Sequence, residues 1–325
     1  MELNEFLAEW HNDNPRILVH TSGSTGKPKP LMVEKRRMLN SARITCDFLG
    51  LKPGDTALLC MSLDYIAGKM MVVRSLQRDL RLTSVRPSSH PLADDALPSF
   101  TFAAMVPMQV YNSLKVPCER ERLMRIRHLI IGGGTISDEL AQMIKPLPNA
   151  VWSTYGMTET LSHIALRRLN GPDASLWYTP FDGVGISLNA EGCLVIDAPE
   201  VCAEPLVTND IAQLRTDDRT GKTLFRIKGR KDNVVCSGGI KIQIEEVEET
   251  LRPHLSAPFM IVKKQDEMLG EKAILLTESA DLTHIEEICR NTLPKYWVPR
   301  EFLHIDHLPL TETGKPKRTL PFTPR

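Results

Sequence analysis

Two short polar segments of this chain combine residue types that bind phosphate and metal ions. The first, Thr21-Ser22-Gly23-Ser24-Thr25-Gly26-Lys27-Pro28-Lys29, follows the apolar run at 17–20. Glycines let a backbone bend until its amides face phosphate oxygens, while hydroxyls add donors and lysines add positive charge. The spacing is not that of a Walker loop, and a flexible surface turn has a similar composition, so this segment alone leaves both interpretations open.

The second segment is Ser153-Thr154-Tyr155-Gly156-Met157-Thr158-Glu159-Thr160, which comes directly after the apolar residues at 150–152. A strand end that presents hydroxyls, an aromatic face and a carboxylate suits a nucleotide base and a Mg²⁺ ion that bridges phosphates. An ordinary strand-to-loop transition is the alternative interpretation.

Four later segments extend the pattern: Thr208-Asn209-Asp210, Gly229-Arg230-Lys231-Asp232, Ser237-Gly238-Gly239-Ile240-Lys241 and Thr313-Gly314-Lys315-Pro316-Lys317. The order and spacing of all six segments resemble the adenylate-forming superfamily of acyl-CoA synthetases, peptide-synthetase adenylation domains and luciferases. The resemblance covers about residues 17–318, nearly the whole chain.

This resemblance implies a role for each matching residue. The ATP phosphates would be held by Thr21, Ser22, Gly23, Ser24, Thr25, Gly26 and Lys27, with Thr158 at the α-phosphate and Glu159 on Mg²⁺. The adenine would be bordered by Gly132, Gly133, Gly134, Thr135 and Tyr155, and the nucleotide site would also include Gly156 and Met157. The ribose would be fixed by Asp210 and Arg230, Asp232 would be the hinge between domains, and Lys315 would reach in from the C-terminal domain. Without the other motifs, Lys315 reads as a solvated tail lysine.

The implied chemistry explains these residue types. A carboxylate is a poor acyl donor, so it attacks the α-phosphate of ATP and releases pyrophosphate, and the shared negative charge needs Mg²⁺ and lysine. The thiol of CoA then attacks the acyl-adenylate. In this superfamily the C-terminal domain rotates between the two steps, so that Lys315 leaves and the Gly238-Gly239 loop enters.

Apolar periodicity predicts the elements that position these residues. Helices are expected at 35–49, at about 66–80 and from Ser137, and strands at 56–61, near 82–85 and at 128–131. Such alternation predicts an α/β sheet with helices on its faces. The Pro-rich stretch 86–99 is expected to be a loop that leads into a helix carrying 102–114.

The residue pattern changes at Trp177. From there, short apolar runs broken by Gly, Asn and Asp predict an antiparallel or barrel-like β subdomain. Beyond Asp232, two helices and two strands predict a small α+β unit. We therefore expect an abbreviated AMP-binding N-terminal domain at 1–231 and a mobile C-terminal domain at 232–325.

Charge and cysteine usage exclude several classes of protein. Lys and Arg number 40, and so do Asp and Glu, so the net charge is zero and gives no broad attraction to nucleic acid or anionic membrane. The seven cysteines show no CxxC or metal-like spacing and read as reduced thiols. With neither a signal peptide nor an apolar run of roughly 20 residues, a cytoplasmic location is expected.

Members of the superfamily usually carry a far longer segment before the phosphate loop than the 20 residues found here. We therefore expect a trimmed N-terminal subdomain, and a homodimer is a hypothesis for how the acyl pocket is shielded. This short form, with residues 63–74, 157–168 and 237–243, looks like the abbreviated 2-succinylbenzoate–CoA ligases of menaquinone biosynthesis.

That substrate carries two carboxylates, and the one that is not activated needs a counter-charge inside the pocket. Lys69, Ser162 and His163 are the candidates, and Tyr65 is a candidate for the acyl pocket. The alternatives are a solvated Lys69, a His163 that caps a strand and a Tyr65 that caps the core at a helix start.

Three other functions remain open from the sequence alone. Another aryl- or acyl-CoA ligase would activate a different acid. A stand-alone adenylation domain would load a carrier protein instead of CoA, and a nucleotide-binding remnant would have no activity. The joint presence of Glu159, Asp210, Arg230 and Lys315 argues against the remnant, because a protein that only binds nucleotide would not need Lys315.

Overall fold

The structure, a computed structural model, describes residues 1–20, 30–134, 136–310 and 317–318. The contacts within the chain divide it into two units. The first comprises Met1–Ser187, Val195–Leu206 and Leu214–Arg226, and the second comprises Leu188–Leu194, Val207–Gln213 and Ile227–Arg325. The domain boundary expected at Asp232 stays a prediction.

Helices and strands alternate through the first unit. Its first half contains α1 (Leu3–His11), β1 (Arg16–His20), β2 (Pro30–Glu34), α2 (Lys35–Leu49), β3 (Thr56–Leu59), α3 (Ile66–Arg78) and β4 (Arg81–Ser84). The chain continues with β5 (Phe102–Met105), α4 (Pro107–Lys115), α5 (Pro117–Met124), β6 (His128–Ile131), α6 (Asp138–Ile144), β7 (Ala150–Gly156), β8 (His163–Arg168) and β9 (Thr179–Pro180). The expected α/β fold class is confirmed.

The main sheet of this unit has seven strands in the order β4-β3-β5-β6-β7-β8-β9. The first five are parallel, and β8 and β9 extend the sheet in antiparallel fashion. The interior of the parallel strands is apolar, and Leu58, Ala103, Leu129 and Val151 are fully buried. Buried parallel strands are typically continuous apolar runs, and these strands have that pattern. The hairpin β1–β2 forms a separate antiparallel pair.

The helix expected over 102–114 is wrong in its first part. Residues Phe102–Met105 form β5, which lies between β3 and β6 and is buried at every position. The helix begins only at Pro107, where the Gln109 side chain accepts a hydrogen bond of 3.1 Å from the Val106 backbone N–H. A short apolar run without polar interruptions fits a buried strand or a buried helix equally well, so the pattern could not separate them.

The helices α2 and α3 pack against each other beside the sheet. The expected helix at Lys35–Leu49 is confirmed, and it ends at Gly50, which takes φ +64 as a helix C-terminus requires. Near the start of α3, Gly68 lies against the backbone of the preceding loop, where a Cβ would overlap Ser62 O and stand 2.7 Å from Ser62 C. Glycine is therefore needed for α3 to approach this loop.

Four strands follow: β10 (Gly185–Leu188), β11 (Cys193–Asp197), β12 (Leu206–Thr216) and β13 (Thr223–Arg230), in the sheet order β10-β11-β12-β13. Each of these strands has residues in both units. The elements that lie entirely in the second unit are a 3₁₀ turn at Lys231–Asn233, β14 (Val234–Ser237), β15 (Ile240–Gln243), α7 (Ile244–Leu251), β16 (Phe259–Asp266), β17 (Gly270–Thr277), α8 (Leu282–Thr292) and β18 (Glu301–His304). The strands β14–β18 form one sheet, and its core includes Val235, Val247, Ile261 and Leu275.

We expect Gly68→Ala to destabilise the protein, although alanine favours helix by about 1 kcal/mol over glycine. The added Cβ meets a backbone carbonyl, and overpacking of this kind costs roughly 1–3 kcal/mol. Denaturant unfolding measures the change. The control is Ala67→Gly at the exposed neighbouring position, which should cost no more than about 1 kcal/mol. A Gly68→Ala protein as stable as the wild type would contradict the close approach.

Candidate active site

Two of the expected nucleotide-binding segments follow neighbouring parallel strands. Gly132-Gly133-Gly134 comes directly after β6, and Tyr155-Gly156 ends β7. Since parallel strands end at the same edge of a sheet, the two segments lie side by side there. A Cβ on Gly132 would overlap the Thr154 hydroxyl, and Gly133 takes φ +80, so close packing explains the first glycine and backbone conformation the second. Their contact with adenine stays a prediction, and Thr135 lies outside the described residues.

The expected phosphate segment, 21–29, also lies outside the described residues. The strand β1 leads directly to it and ends at His20. Its neighbour in the hairpin, β2, resumes at Pro30, which is the register partner of His20. The two ends of the segment are therefore held together by antiparallel pairing.

The loop that carries Thr158 and Glu159 is tied together by one buried hydroxyl. Thr160 is fully buried, and its Oγ1 donates to Met157 O (2.9 Å) or Ser162 O (2.6 Å) and accepts from the Met157 backbone N–H (2.9 Å). The following residue, Leu161, is one of two described non-glycine residues with positive φ, at +65. In this tight loop Thr158 is buried and Glu159 is exposed.

The exposed carboxylate of Glu159 fits a metal ion that arrives with the nucleotide. Among the described residues, no group of three or more His, Cys, Asp and Glu side chains is arranged to hold a metal. Mg²⁺ needs no such group when phosphate oxygens and water complete its shell around one or two carboxylates. The role of Glu159 as that ligand stays a prediction.

An aromatic cluster surrounds Tyr155, and sequence reasoning did not find it. The ring centroid of Tyr155 lies 5.0 Å from that of Phe225, edge-on, and 5.7 Å from that of Tyr178. Tyr178 stacks on Phe225, and its hydroxyl lies 3.0 Å from Ser153 Oγ on the same strand as Tyr155. This packing fixes the Tyr155 ring at the end of β7.

The guanidinium of Arg74 is the charged group beside this loop that sequence reasoning missed. Arg74 is 2% exposed on α3, and its Nη2 donates to Ser162 Oγ, while its Nε has no hydrogen-bond partner among the described residues. Burial lowers the pKa of Arg74 to about 10, so the side chain stays protonated at neutral pH. The described part of the chain places no carboxylate in an ion pair with it. The one signal in the sequence is an arginine directly after the apolar run at 70–73.

The expected substrate residues have different surroundings. Lys69 is 3% exposed, so the solvated alternative is wrong, and its Nζ donates to Leu18 O at 2.7 Å. Burial lowers the pKa of the Lys69 ammonium. Tyr65 precedes α3 and is 46% exposed. The ammonium of Lys69 is thus engaged by the strand that leads to the phosphate segment, and contact of either side chain with a substrate stays a prediction.

His163 begins β8 next to Ser162, and both lie close to the end of β7. The α-carbons of Gly156 and His163 are register partners, and a Cβ on Gly156 would stand 2.5 Å from the His163 α-carbon. Burial, and then the charge of Arg74, hold the pKa of His163 well below its usual value. The imidazole is therefore neutral at physiological pH.

In the second unit the expected ribose and hinge residues contact one another. Arg230 Nη1 lies 3.3 Å from Asp210 Oδ1, and Arg230 Nη2 lies 2.9 Å from Asp232 Oδ2. Arg230 therefore joins the carboxylate expected at the ribose to the residue expected at the hinge. At 40% exposure of the Arg230 side chain, solvent screens these pairs, so they position the side chains more than they stabilise the fold.

Gly238 and Gly239 form the two-residue turn between β14 and β15, with φ of +57 and +83. Positive φ at both positions is the geometry of a tight hairpin turn, which glycine adopts without strain. Lys315 lies outside the described residues. Close to it in sequence, Arg318 donates to both carboxylate oxygens of Glu248 and to Ile261 O.

Comparison with known proteins shows the family of this chain. The family model for AMP-binding enzymes matches residues 4–203, more than half of the sequence. The chain therefore belongs to the AMP-binding enzyme family and is a ligase of the adenylate-forming superfamily.

In the described ranges, no helix has the length and apolar character needed to cross a bilayer.

Individual relatives agree with this assignment. A 2-succinylbenzoate–CoA ligase of Bacillus mycoides is 25% identical over 334 residues, which cover 94% of this chain and 69% of the relative. The solved structure of an acyl-CoA synthetase (AMP-forming)/AMP-acid ligase II-like protein from Dyadobacter fermentans is 33% identical, with coverage of 97% and 91% and a TM-score of 0.67. An o-succinylbenzoate CoA synthetase from Bacillus subtilis, in complex with ATP and magnesium, shares the fold at 23% identity, with coverage of 93% and 68% and a TM-score of 0.72.

We expect Thr160→Val to loosen the loop at 157–162, because valine has the shape of threonine but leaves the Met157 backbone N–H and the Ser162 carbonyl without the hydroxyl that they contact. Unsatisfied buried polar groups cost about 1–3 kcal/mol, which denaturant unfolding will measure. Thr160→Ser, which keeps the hydroxyl, is the control and should lose less. A loss in Thr160→Ser that exceeds the loss in Thr160→Val would show that packing of the methyl group, and not the hydroxyl, closes this loop.

Proposed function

We propose that this protein is an AMP-forming acid–CoA ligase that converts 2-succinylbenzoate to its CoA thioester through an acyl-adenylate, a step of menaquinone biosynthesis. Membership of the AMP-binding family supports the reaction. The relatives named as 2-succinylbenzoate–CoA ligases, at 25% identity, support this choice of acid. The observation that carries the substrate is the buried guanidinium of Arg74 beside the loop of Thr158 and Glu159.

The reaction has two steps, each of which replaces one leaving group. First a carboxylate oxygen of the acid bonds to the α-phosphorus of ATP, and the bond to the bridging oxygen breaks to release pyrophosphate. Then the sulfur of CoA bonds to the acyl carbon, the thiol proton is lost and AMP leaves. Bound Mg²⁺ would neutralise phosphate charge, and Glu159 is the residue suited to hold it.

In this proposal the residues of the chain bind and orient the reactants. Lys315 would stabilise the negative charge that develops on the α-phosphate in the first step. Asp210 would accept hydrogen bonds from the ribose hydroxyls, and Arg230, which contacts Asp210, would hold that carboxylate in place. Tyr155, fixed by its aromatic neighbours, would offer its ring to adenine. None of these steps needs a covalent bond to the protein.

The charge of Arg74 favours a dicarboxylic acid over a monocarboxylic acid as the substrate. A cation without a counter-ion in the protein interior is unfavourable, and an anion brought by the substrate relieves that cost. A fatty acid or a simple aryl acid has only the carboxylate that reacts, so it would leave the guanidinium uncompensated. 2-Succinylbenzoate keeps a second carboxylate after activation, and that group provides the missing negative charge.

Purified protein supplied with ATP, Mg²⁺, CoA and a panel of acids tests the reaction. We expect pyrophosphate release that depends on 2-succinylbenzoate, with CoA as the acceptor, and a loss of roughly 100-fold or more in Lys315→Ala. The matched control is Lys317→Ala, two residues on. No turnover of 2-succinylbenzoate, alongside good turnover of fatty or aryl acids, would refute the proposed substrate, and full activity in Lys315→Ala would refute the adenylation role.

Replacement of Arg74 by methionine tests how the acid is recognised. An apolar side chain of similar length in place of a buried charge is tolerated by folded proteins, so the variant should fold. We expect the KM for 2-succinylbenzoate to rise roughly 100-fold, as the loss of a buried ion pair worth about 3 kcal/mol requires. Turnover of 4-oxo-4-phenylbutanoate and of 2-butanoylbenzoate, which each lack one carboxylate, should not fall.

Arg78→Met, one helical turn further along α3, is the control for Arg74→Met, because Arg78 pairs with Asp47 and donates to Leu51 O. Its KM for 2-succinylbenzoate should stay close to that of the wild type. A KM in Arg74→Met that also stays unchanged would remove the basis for the dicarboxylate assignment.

A further inference from the structure

We infer that His163 is a positioning residue, which accepts the Ser162 hydroxyl proton at Nδ1 and thereby turns the Ser162 oxygen toward the guanidinium of Arg74. The inference rests on the proposed function for its catalytic meaning. It assigns to His163 and Ser162 the task of orienting Arg74, in place of direct contact with the substrate carboxylate.

A chain of hydrogen bonds joins α3, the start of β8 and α2. Arg74 Nη2 donates to Ser162 Oγ, and Ser162 Oγ lies 3.2 Å from His163 Nδ1. On the other side of the ring, His163 Nε2 lies 3.2 Å from Thr45 Oγ1, which in turn donates to Ser41 O at 3.0 Å. Arg74, His163, Thr45 and Ser41 are all buried.

The groups at the two ends of this hydrogen-bond chain, Thr45 and Arg74, determine the direction of every hydrogen bond within it. At one end, Thr45 gives its only hydroxyl proton to Ser41 O, so its oxygen accepts a proton from His163 Nε2. A neutral imidazole with hydrogen on Nε2 has a free lone pair on Nδ1, which accepts the Ser162 proton. At the other end, Arg74 has only donors, so Ser162 must face it with a lone pair. The reverse direction would leave the Ser162 proton without an acceptor among the described residues.

The position of the His163 ring is fixed by its surroundings. The ring packs edge-on against Phe181, with centroids 5.5 Å apart, and Phe181 packs in turn on Phe48. The glycine at 156 allows the backbone of Ser162 and His163 to approach β7, since any Cβ there would overlap Ser162 O. The ring therefore cannot turn to exchange its nitrogens without displacing packed side chains.

The chain of hydrogen bonds determines which groups are available to bind the acid. Because the Ser162 proton is engaged by His163, the hydroxyl does not donate to a carboxylate, and the N–H groups that Arg74 does not use for Ser162 are the donors that remain. The guanidinium is planar, so its orientation decides whether two of its N–H groups face a carboxylate together. His163 thus contributes to binding of the second carboxylate through Arg74 and not by contact.

Two substitutions by amide side chains distinguish the roles of the two ring nitrogens of His163. His163→Asn places an oxygen near the position of Nδ1 and keeps the acceptor for Ser162, whereas His163→Gln places its amide near Nε2 and keeps only the contact with Thr45. We expect His163→Gln and His163→Leu to raise the KM for 2-succinylbenzoate about 10-fold, with little change in kcat or in the KM for ATP. His163→Asn should stay within about 2-fold of the wild type. An equal rise in the Asn and Gln variants would refute the role of Nδ1.

The state of the ring is also measurable without any substrate, by ¹⁵N NMR of the histidine side chains, with His163→Asn to assign the signal. We expect a neutral ring with hydrogen on Nε2 from pH 6 to pH 8, and a shift of the Nδ1 resonance in Ser162→Ala. Hydrogen on Nδ1, or a protonated ring at pH 6, would overturn the inference. If the wild type does not turn over 2-succinylbenzoate, the proposed function fails, while this measurement still decides whether His163 orients Ser162.

Discussion

A positive charge held out of water is the constraint on which the first unit's candidate site depends. The guanidinium of Arg74 loses its hydration in the interior, and only the Ser162 hydroxyl, with a weak contact from Met71 Sδ at 3.9 Å, replaces it in the described part of the protein. Two glycines make this arrangement possible, since Gly68 lets α3 approach the preceding loop and Gly156 lets β8 approach β7. The charge is therefore held at a cost in stability that the rest of the core must offset.

The order of the strands determines which chemical groups meet. The parallel strands β6 and β7 end at one edge, and the antiparallel turn from β7 to β8 places the exposed carboxylate of Glu159 a few residues from Ser162 and His163. One short loop thus connects the segment expected at the phosphates with the segment expected at the acid. In the proposed reaction, the two reactants would bind at the two ends of this loop and keep a fixed separation, which favours attack of one on the other.

The sequence predicted the helices and strands that are determined by residues close together in the chain. The helix at Lys35–Leu49 has helical periodicity and a terminal glycine, and β6 is a short apolar run at 128–131, so both were predicted at their observed bounds. The strand at Phe102–Met105 was mistaken for helix because four apolar residues carry no period. Its neighbours β3 and β6, which make it a strand, are distant in sequence.

The candidate site was predicted where motifs are contiguous and missed where it depends on folding. Tyr155, Thr158 and Glu159 stand in one run of sequence and were identified there. Arg74 and Ser162 are 88 residues apart, and nothing in either segment indicates that they meet. The packing of Tyr178 and Phe225 around Tyr155 is likewise a property of the assembled sheets. Burial and partners of a side chain follow from the tertiary structure, so no pattern of residue types encodes them alone.

The pair between Arg318 and Glu248 gives the last part of the chain a structural role. Both side chains are largely buried, with 16% and 11% exposure, and the guanidinium also caps the backbone carbonyl of Ile261 in β16. A protease cut or a shortened expression boundary before Arg318 would leave the Glu248 carboxylate buried without its partner, which costs about 3–5 kcal/mol in comparable cases. The chain at Arg318 is thus attached to α7 and β16, so an intact chain up to this residue is a requirement for the stability of the second unit.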